Sequence, residues 1–162
     1  MFASNTSTLV LLAKIRCLEE FIKISPIIEV PSQVKEEALF HKESDYAMLI
    51  KKLIDEKKVR VLSINNKEIA EIIEQFHLDL GEAATYAMFD KKRHKAILTD
   101  DGELIKLCRL EKIPFICAIA IIIRLYEKQK LSKDDAFEKL KKLNEIGRYS
   151  KDLYDYFKEE IK

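Results

Sequence analysis

Short apolar segments alternate with longer helical patterns over the first three quarters of the chain, and this alternation constrains the fold more than any other feature. The short segments span residues 1–3, 26–31, 59–64, 96–99 and 114–117. Short apolar strands joined by helices pair side by side in a parallel sheet whose two faces the helices cover. The sequence therefore predicts an α/β fold with a small parallel β-sheet flanked by helices on both faces.

The segments between and after these strands have helical spacing. The pattern predicts helices over residues 9–24, 45–57, 67–76, 80–92 and 103–110, and one that begins at Ser32 as N-cap with Glu36 in a capping box. From residue 119 onward the chain is predicted to be helical, with breaks near 131–132 and 146–147. We expect one domain over residues 1–162, with an α/β core over 1–118 and a helical C-terminal extension over 119–162 that packs on it.

Composition narrows the class of protein. Three glycines and three prolines in 162 residues argue against a loop-rich all-β fold. The net charge of +1 favours neither nucleic acid nor membrane, so nucleic-acid binding requires a local basic patch. The apolar run over residues 113–123 ends at Arg124, short of the roughly 18 residues that a membrane span needs. With no basic segment before the first apolar run, a cytoplasmic protein without a membrane segment is expected.

Cysteines and histidines offer no metal site in the sequence. Cys17, Cys108 and Cys117 lack CxxC spacing and lie in apolar contexts, which predicts buried free thiols in a reducing compartment. The three histidines lie far apart in the sequence, and we expect them at the surface or its boundary rather than as ligands: they are His41, His77 and His94.

Polar and acidic residues lie at the ends of predicted strands or in the first turns of predicted helices. Parallel α/β sheets bind ligands at the carboxyl ends of their strands, and all of these residues can point to that edge. They are Asn5, Glu36, Glu37, Glu82, Asp100 and Asp101. Several carboxylates that lie close together cannot all stay ionised without a counter-ion. Oxygen ligands suit a hard divalent cation, so Mg²⁺ or Mn²⁺ is the expected cofactor.

Each of these residues also has a purely structural interpretation. Asn5 is a favourable N-cap for the helix that follows it, and Asp100 can cap the helix that begins after Gly102. Glu82 near a helix start complements the helix dipole, and Asp79 before that helix is expected to be a cap or a solvated residue. Spacing alone does not choose between a metal site and a set of caps.

Four stretches together resemble the PIN-domain family, in particular short prokaryotic members related to VapC-type toxins. They are SNTSTLVLLAKI, VPSQVKEEAL, LDLGEAATYAMFDKKRHKAILTDDGELIKL and EIGRYSKDLYDYF, in the order and at the spacing of that family. The resemblance implies a small parallel sheet that presents three or four acids around Mg²⁺ or Mn²⁺. It further implies endonucleolytic cleavage of single-stranded RNA, a possible antitoxin protein as partner, and a homodimer.

Carried over by position, the resemblance assigns roles to individual residues. The second acid is Glu37, with Glu36 as the alternative, and the third is Glu82. The fourth is either Asp100 or Asp101. Asn5 stands where the first acid is expected. Thr6 and Ser7 take the hydroxyl positions that follow it and can hydrogen-bond a metal ligand or a phosphate.

Two departures from the family bear on activity. Asn5 replaces the usual first Asp, which removes one charge but keeps a carbonyl oxygen. Residues 115–118 read Phe-Ile-Cys-Ala where relatives tend to have Gly-Thr. Two functions are therefore open: a metal-dependent endoribonuclease, possibly the toxin of a toxin–antitoxin pair, and a degenerate PIN domain that binds RNA or a protein partner without efficient cleavage.

Basic residues near the predicted site edge can hold phosphates or can form an ordinary solvated helix face. The candidates are Lys106 and Arg109, with Lys91, Lys92 and Arg93 as a second group. A third possibility is an interaction protein whose helical tail recruits a partner. Residues 147–150 break that tail, and Ser150 is the predicted N-cap of its last helix.

Overall fold

The computed structural model describes residues 1–161 and contains a single parallel sheet there. Its strands are β1 (Phe2–Ser4), β2 (Ile28–Pro31), β3 (Val59–Leu62), β4 (Ala96–Leu98) and β5 (Phe115–Ile116). They pair in the order β3-β2-β1-β4-β5, and every pairing is parallel. The predicted α/β fold is confirmed, and each strand lies within or within one residue of its predicted segment.

Ten helices connect and follow these strands within residues 1–161. They are α1 (Thr6–Lys14), α2 (Leu18–Ile24), α3 (Ser32–Ala38), α4 (Asp45–Asp55), α5 (Asn66–Phe76), α6 (Leu80–Met88), α7 (Gly102–Glu111), α8 (Ala118–Glu127), α9 (Lys133–Ile146) and α10 (Lys151–Glu159). Strand side chains alternate between the two faces of the sheet, and the helices cover both faces. Ala3 and Ile97 belong to the hydrophobic cluster formed with α5, α6 and α7. Leu98, one residue further along β4, belongs to the larger cluster that contains α1, α2, α4, α8 and α9.

The register of the sheet places two strand ends side by side. In β1, Phe2 lies opposite Ala96 and Ser4 lies opposite Leu98 of β4. The backbone N–H of Asn5 then donates to the carbonyl of Leu98 at 2.9 Å, which extends the pairing by one residue. The segments that leave β1 and β4 therefore start next to each other at the centre of the carboxyl edge.

Two local predictions are wrong. The helix predicted over residues 9–24 is two helices, because Arg16 adopts a left-handed conformation with φ of 61°. The N–H of Cys17 donates to the carbonyl of Leu12 at 2.9 Å, which ends α1 in a Schellman-type turn. Ser32 is the first residue of α3 rather than its cap, Pro31 takes the cap position, and no side chain caps that end of the helix.

The C-terminal helices pack on the α/β core through apolar side chains. Leu140 and Leu143 of α9 are fully buried in the same cluster as Leu9 and Ile119. The helix breaks fall near the predicted positions, between α8 and α9 and between α9 and α10. Ser150 caps α10, as predicted, since its Oγ accepts the N–H of Leu153 at 3.1 Å.

One histidine prediction is wrong. His94 is buried, and its Nε2 lies 2.8 Å from Oε1 of Glu29, which is 2% exposed in the middle of β2. Its Nδ1 accepts the backbone N–H of Asp90 at 3.0 Å, so Nε2 carries the hydrogen that is donated to Glu29. The Arg93 guanidinium lies 2.8 Å from both Glu29 oxygens. This cluster stabilises the connection into β4, at the end of the strand opposite to Asp100.

The thiols are free, as predicted: Cys17 and Cys108 are buried and Cys117 is half-buried. Burial raises the pKa of Cys17 to about 11, which leaves the thiol protonated and unreactive at neutral pH. Within residues 1–161, none of the helices has the length and apolar character that crossing a bilayer requires.

Candidate active site

Asn5 is a buried residue at the centre of the carboxyl edge. It occupies the N-cap position of α1, but its side chain accepts no hydrogen bond from that helix. Its amide Nδ2 instead donates to Oδ2 of Asp101 and lies 3.5 Å from Oγ1 of Thr99. Only 1% of Asn5 is exposed. The capping interpretation is therefore wrong for its side chain, which joins the ends of β1 and β4.

The two adjacent aspartates after β4 have different surroundings. Asp100 accepts a hydrogen bond from the Thr8 hydroxyl at 2.5 Å and from the Ala118 N–H at 3.0 Å, and a third from the Tyr149 hydroxyl. Burial raises the pKa of Asp100, while these donors oppose the rise. Asp101 accepts from Asn5, and its pKa is raised by burial and then by the carboxylate of Asp79. Asp100 is thus held by three donors, whereas Asp101 faces other acids.

Glu37 reaches the same edge from α3. Its Oε2 accepts a hydrogen bond from the Thr6 hydroxyl at 3.0 Å. Its carboxylate lies against Gly81, so closely that a Cβ added at Gly81 would stand 2.2 Å from Oε1. Burial raises the pKa of Glu37, and the carboxylates of Asp79 and Asp101 raise it further. Glycine at position 81 therefore allows α6 to approach this acid.

Glu82 is the acid at the start of α6, and it is 8% exposed. It forms a capping box with Asp79: the Glu82 N–H donates to Oδ1 of Asp79 at 2.8 Å, and the Asp79 N–H donates to Oε2 of Glu82 at 3.3 Å. Burial, followed by the charges of Asp79 and Asp101, raises the pKa of Glu82 to about 7. The predicted cap at Asp79 is confirmed, and Glu82 has both a structural role in the capping box and a raised pKa.

Two aspartates, Asp79 and Asp101, raise the pKa values of neighbouring acids at this edge. The charge of Asp101 raises the pKa of both Glu37 and Glu82, and the charge of Asp79 raises the pKa of all three. Glu36, the alternative second acid, is exposed and lines a shallow depression with Phe40 and His41. Glu37, Glu82 and Asp101 come from three different elements, and the charge of Asp101 acts on both glutamates.

The chemistry of these donors fits a hard divalent cation, because Glu37, Glu82 and Asp101 offer carboxylate oxygens and the charge of Asp101 raises the pKa of both glutamates. The distances between these side chains, however, do not match those of an occupied metal site. Among residues 1–161, no three acidic, histidine or cysteine side chains lie close enough to share one ion in the observed arrangement. The Asn5 amide donates a hydrogen bond to Oδ2 of Asp101 at the same edge.

The predicted hydroxyl and basic residues have distinct positions. Thr6 holds Glu37, and Oγ of Ser7 accepts the backbone N–H of Asp100 at 2.9 Å. Lys106 is an exposed residue of α7 that pairs with Glu103 at 3.1 Å. The guanidinium of Arg109 lies over the ring of Phe115, 5.5 Å from its centroid. Of these four residues, Thr6 and Ser7 therefore touch the acids directly.

Sequence reasoning missed Tyr149 and Gly81, and it also missed the Thr8 hydroxyl that donates to Asp100. Tyr149 lies in a break of the C-terminal helical pattern and in one of the four stretches that resemble the family, but the sequence assigned it no role. Its hydroxyl donates to Asp100, and burial and the Asp100 charge raise its pKa so that it keeps that proton. Gly81 could have been noticed, since it is one of only three glycines and directly precedes an acid. No local signal marks Tyr149, because its partner is 49 residues away.

A parallel α/β sheet with acids gathered at its carboxyl edge has the architecture that the sequence resemblance implies. A family model described as a PIN domain, DUF3368, matches residues 1–162. Comparison with curated proteins and with solved structures gave no match. Because the family model covers the whole chain, this protein belongs to the PIN-domain family, a nuclease family whose members generally use divalent metal ions.

Proposed function

We propose that this PIN domain is a Mg²⁺- or Mn²⁺-dependent endoribonuclease that hydrolyses phosphodiester bonds of single-stranded RNA. One observation carries the proposal: Glu37, Glu82 and Asp101 come from three elements, the charge of Asp101 raises the pKa of both glutamates, and the charge of Asp79 raises the pKa of all three. A group of carboxylates in that state favours a bound divalent cation, which lowers the repulsion between them.

The residues that would hold the cation are Glu37, Glu82 and Asp101, with the Asn5 amide carbonyl as a weaker neutral ligand. A bound Mg²⁺ or Mn²⁺ supplies positive charge for the phosphodiester and lowers the pKa of water. The Thr6 hydroxyl orients Glu37. Asp100 is assigned a positioning role, since its two oxygens already accept bonds from Thr8, Ala118 and Tyr149. Mutation of Asp100 tests this positioning role against the alternative, in which Asp100 is a ligand in place of Asp101.

A degenerate domain that binds RNA or a protein partner without efficient cleavage is the second candidate. It is favoured by the hydrogen bond from Asn5 to Asp101, because a neutral amide there satisfies one acid without any cation. Under this alternative, RNA binds but is not cut at a rate that depends on Glu82.

We further propose, from the family resemblance alone, that the protein acts in the cytoplasm as the toxin of a toxin–antitoxin pair. An antitoxin protein and a second copy of the chain would then be its partners. Co-expression with the product of the adjacent reading frame tests the first, and the mass of the purified protein in solution tests the second.

The catalytic proposal is tested with a fluorescently labelled single-stranded RNA and Mn²⁺ at pH 8. Glu82→Gln should reduce the cleavage rate at least a hundredfold. Glu68→Gln is the matched control, because Glu68 is also the third residue of a helix that an N-cap residue precedes, but it is exposed and lies in α5. Equal cleavage by wild type and Glu82→Gln contradicts the proposal, and so does an absence of cleavage under all Mg²⁺ and Mn²⁺ concentrations.

A further inference from the structure

The segment of residues 147–150, between α9 and α10, returns to the acidic edge of the sheet. Tyr149 anchors it there by donating its hydroxyl proton to Oδ2 of Asp100. Gly147 permits the sharp entry, since a Cβ at that position would stand 2.5 Å from the ring of Tyr149 and 2.8 Å from the carbonyl of Leu143. The position of Arg148, between these two residues, is therefore fixed relative to the acids.

Two open clefts flank the acids, and Arg148 lines both. The first, of about 470 Å³, lies between α1, α3 and the end of α9 and contains Thr6, Ser7 and Glu37. The second, of about 640 Å³, lies between α7, β5 and α10 and contains Arg109, Phe115 and Phe157. Asp100 and Asp101 also line both clefts. An RNA strand that crosses Asp101 would therefore lie partly in one cleft and partly in the other.

The second cleft combines cations with apolar and aromatic walls. Arg148 is exposed and forms no hydrogen bond or ion pair with any residue in the 1–161 range that the structure describes. Arg109 stacks its guanidinium over Phe115 at 5.5 Å and has no acidic partner in the same range. Single-stranded nucleic acid is bound by such a combination, with arginines on phosphates and bases stacked on aromatic rings.

We propose that the second cleft is a nucleotide subsite for single-stranded RNA, in which Arg148 and Arg109 bind the phosphates that flank the cleavage position and the aromatic wall takes one base. This inference rests on the proposed function, because it assumes that the acids mark the cleavage position. It goes beyond that function in assigning Arg148, which was not among the sequence candidates, and in placing a base between α7, β5 and α10.

The test measures binding of a labelled single-stranded RNA hexamer in EDTA, where no cleavage occurs. Arg148→Ala and Arg109→Ala should each weaken binding five- to twentyfold and reduce the slope of log affinity against log salt by about 0.7, as expected for one lost phosphate contact with a single strand. Arg60→Ala is the control, since Arg60 is exposed on β3 at the far edge of the sheet. In a series of hexamers that each lack the base at a different position, only one hexamer should bind more weakly than the intact RNA.

The outcomes separate this inference from the proposed function. If both arginine variants bind the hexamer as wild type does, or if wild type binds no RNA, the nucleotide subsite is wrong. Mn²⁺ binding, measured on the same proteins, tests the acid cluster independently. Unchanged Mn²⁺ binding in Arg148→Ala together with weakened RNA binding supports the subsite. Equal affinity for every abasic hexamer overturns the placement of a base.

Discussion

Replacing Asn5 with aspartate tests the electrostatics of the site, because it changes one atom type at a buried position. In the observed arrangement the Asn5 amide donates to Asp101. An aspartate at position 5 has no hydrogen to donate, and its carboxylate would face a second carboxylate with 1% exposure to solvent. Without a cation, Asn5→Asp should destabilise the folded protein.

The expected size follows from two effects. Losing a hydrogen bond to a charged acceptor costs about 1.5–3 kcal/mol. Two like charges about 4 Å apart at an effective dielectric constant of about 20 repel by about 4 kcal/mol. A proton taken up by the pair relieves the repulsion, and at pH 7 protonating an aspartate of ordinary pKa costs about 4 kcal/mol, which limits the penalty. We expect the free energy of unfolding to fall by about 4 kcal/mol, which lowers Tm by about 10 °C.

Thermal unfolding in EDTA and in Mn²⁺ measures this effect. Asn65→Asp is the control, because Asn65 is an exposed N-cap whose Oδ1 accepts the Lys67 N–H at 2.8 Å, a role that aspartate also fills. Asn5→Asp should lose stability in EDTA, and Mn²⁺ should raise its Tm by more than that of wild type. The reasoning is refuted if Asn5→Asp is as stable as Asn65→Asp in EDTA, or if Mn²⁺ stabilises it no more than wild type.

Three further perturbations have defined outcomes. Gly81→Ala places a methyl group 2.2 Å from Oε1 of Glu37, so cleavage should fall at least tenfold while stability, measured by urea unfolding, changes by less than about 1 kcal/mol because alanine favours the helix. The Glu82 pKa is about 7 in the folded state and near 4.5 in the unfolded state, so its contribution to stability is complete below pH 4.5 and is lost as pH rises to 7. In EDTA, Glu82→Gln should therefore gain stability relative to wild type between pH 5 and pH 8. A stability difference that does not change with pH would contradict the raised pKa of Glu82. Arg93→Ala leaves Glu29 buried with His94 alone, and unfolding should show a loss of about 3 kcal/mol without a direct effect on Mn²⁺ affinity.

The fold could be predicted from the sequence because its strands are local apolar runs bounded by turn residues, as in residues 96–99 before Asp100 and Asp101. Helix ends were less predictable, since they depend on single residues in unusual conformations. The left-handed turn at Arg16 divides a continuous apolar stripe, and no glycine or proline marks it. Propensity offers no signal there, because packing of Cys17 and Leu18 into the core overrides it.

For the candidate site, the sequence could predict only its location at the carboxyl edge of the sheet and the residues that offer oxygen ligands. Strand ends determine where Asn5, Asp100 and Asp101 lie, so their proximity follows from the topology. Side-chain partners depend on contacts between distant segments. The proposed preference for Asp101 over Asp100 rests in part on the hydrogen bond from Tyr149 to Asp100, and the close approach of Glu37 to α6 depends on Gly81. Neither contact leaves a periodic pattern in the sequence.

The central claim is that Glu37, Glu82 and Asp101 form a divalent cation site, and direct titration with Mn²⁺ tests it most simply. At pH 8, above the raised pKa of Glu82, the account predicts saturable binding to wild type. It also predicts an affinity at least tenfold weaker in Glu82→Gln and an unchanged affinity in Glu68→Gln. Equal Mn²⁺ affinity in wild type and Glu82→Gln, or no saturable binding to wild type, would contradict it.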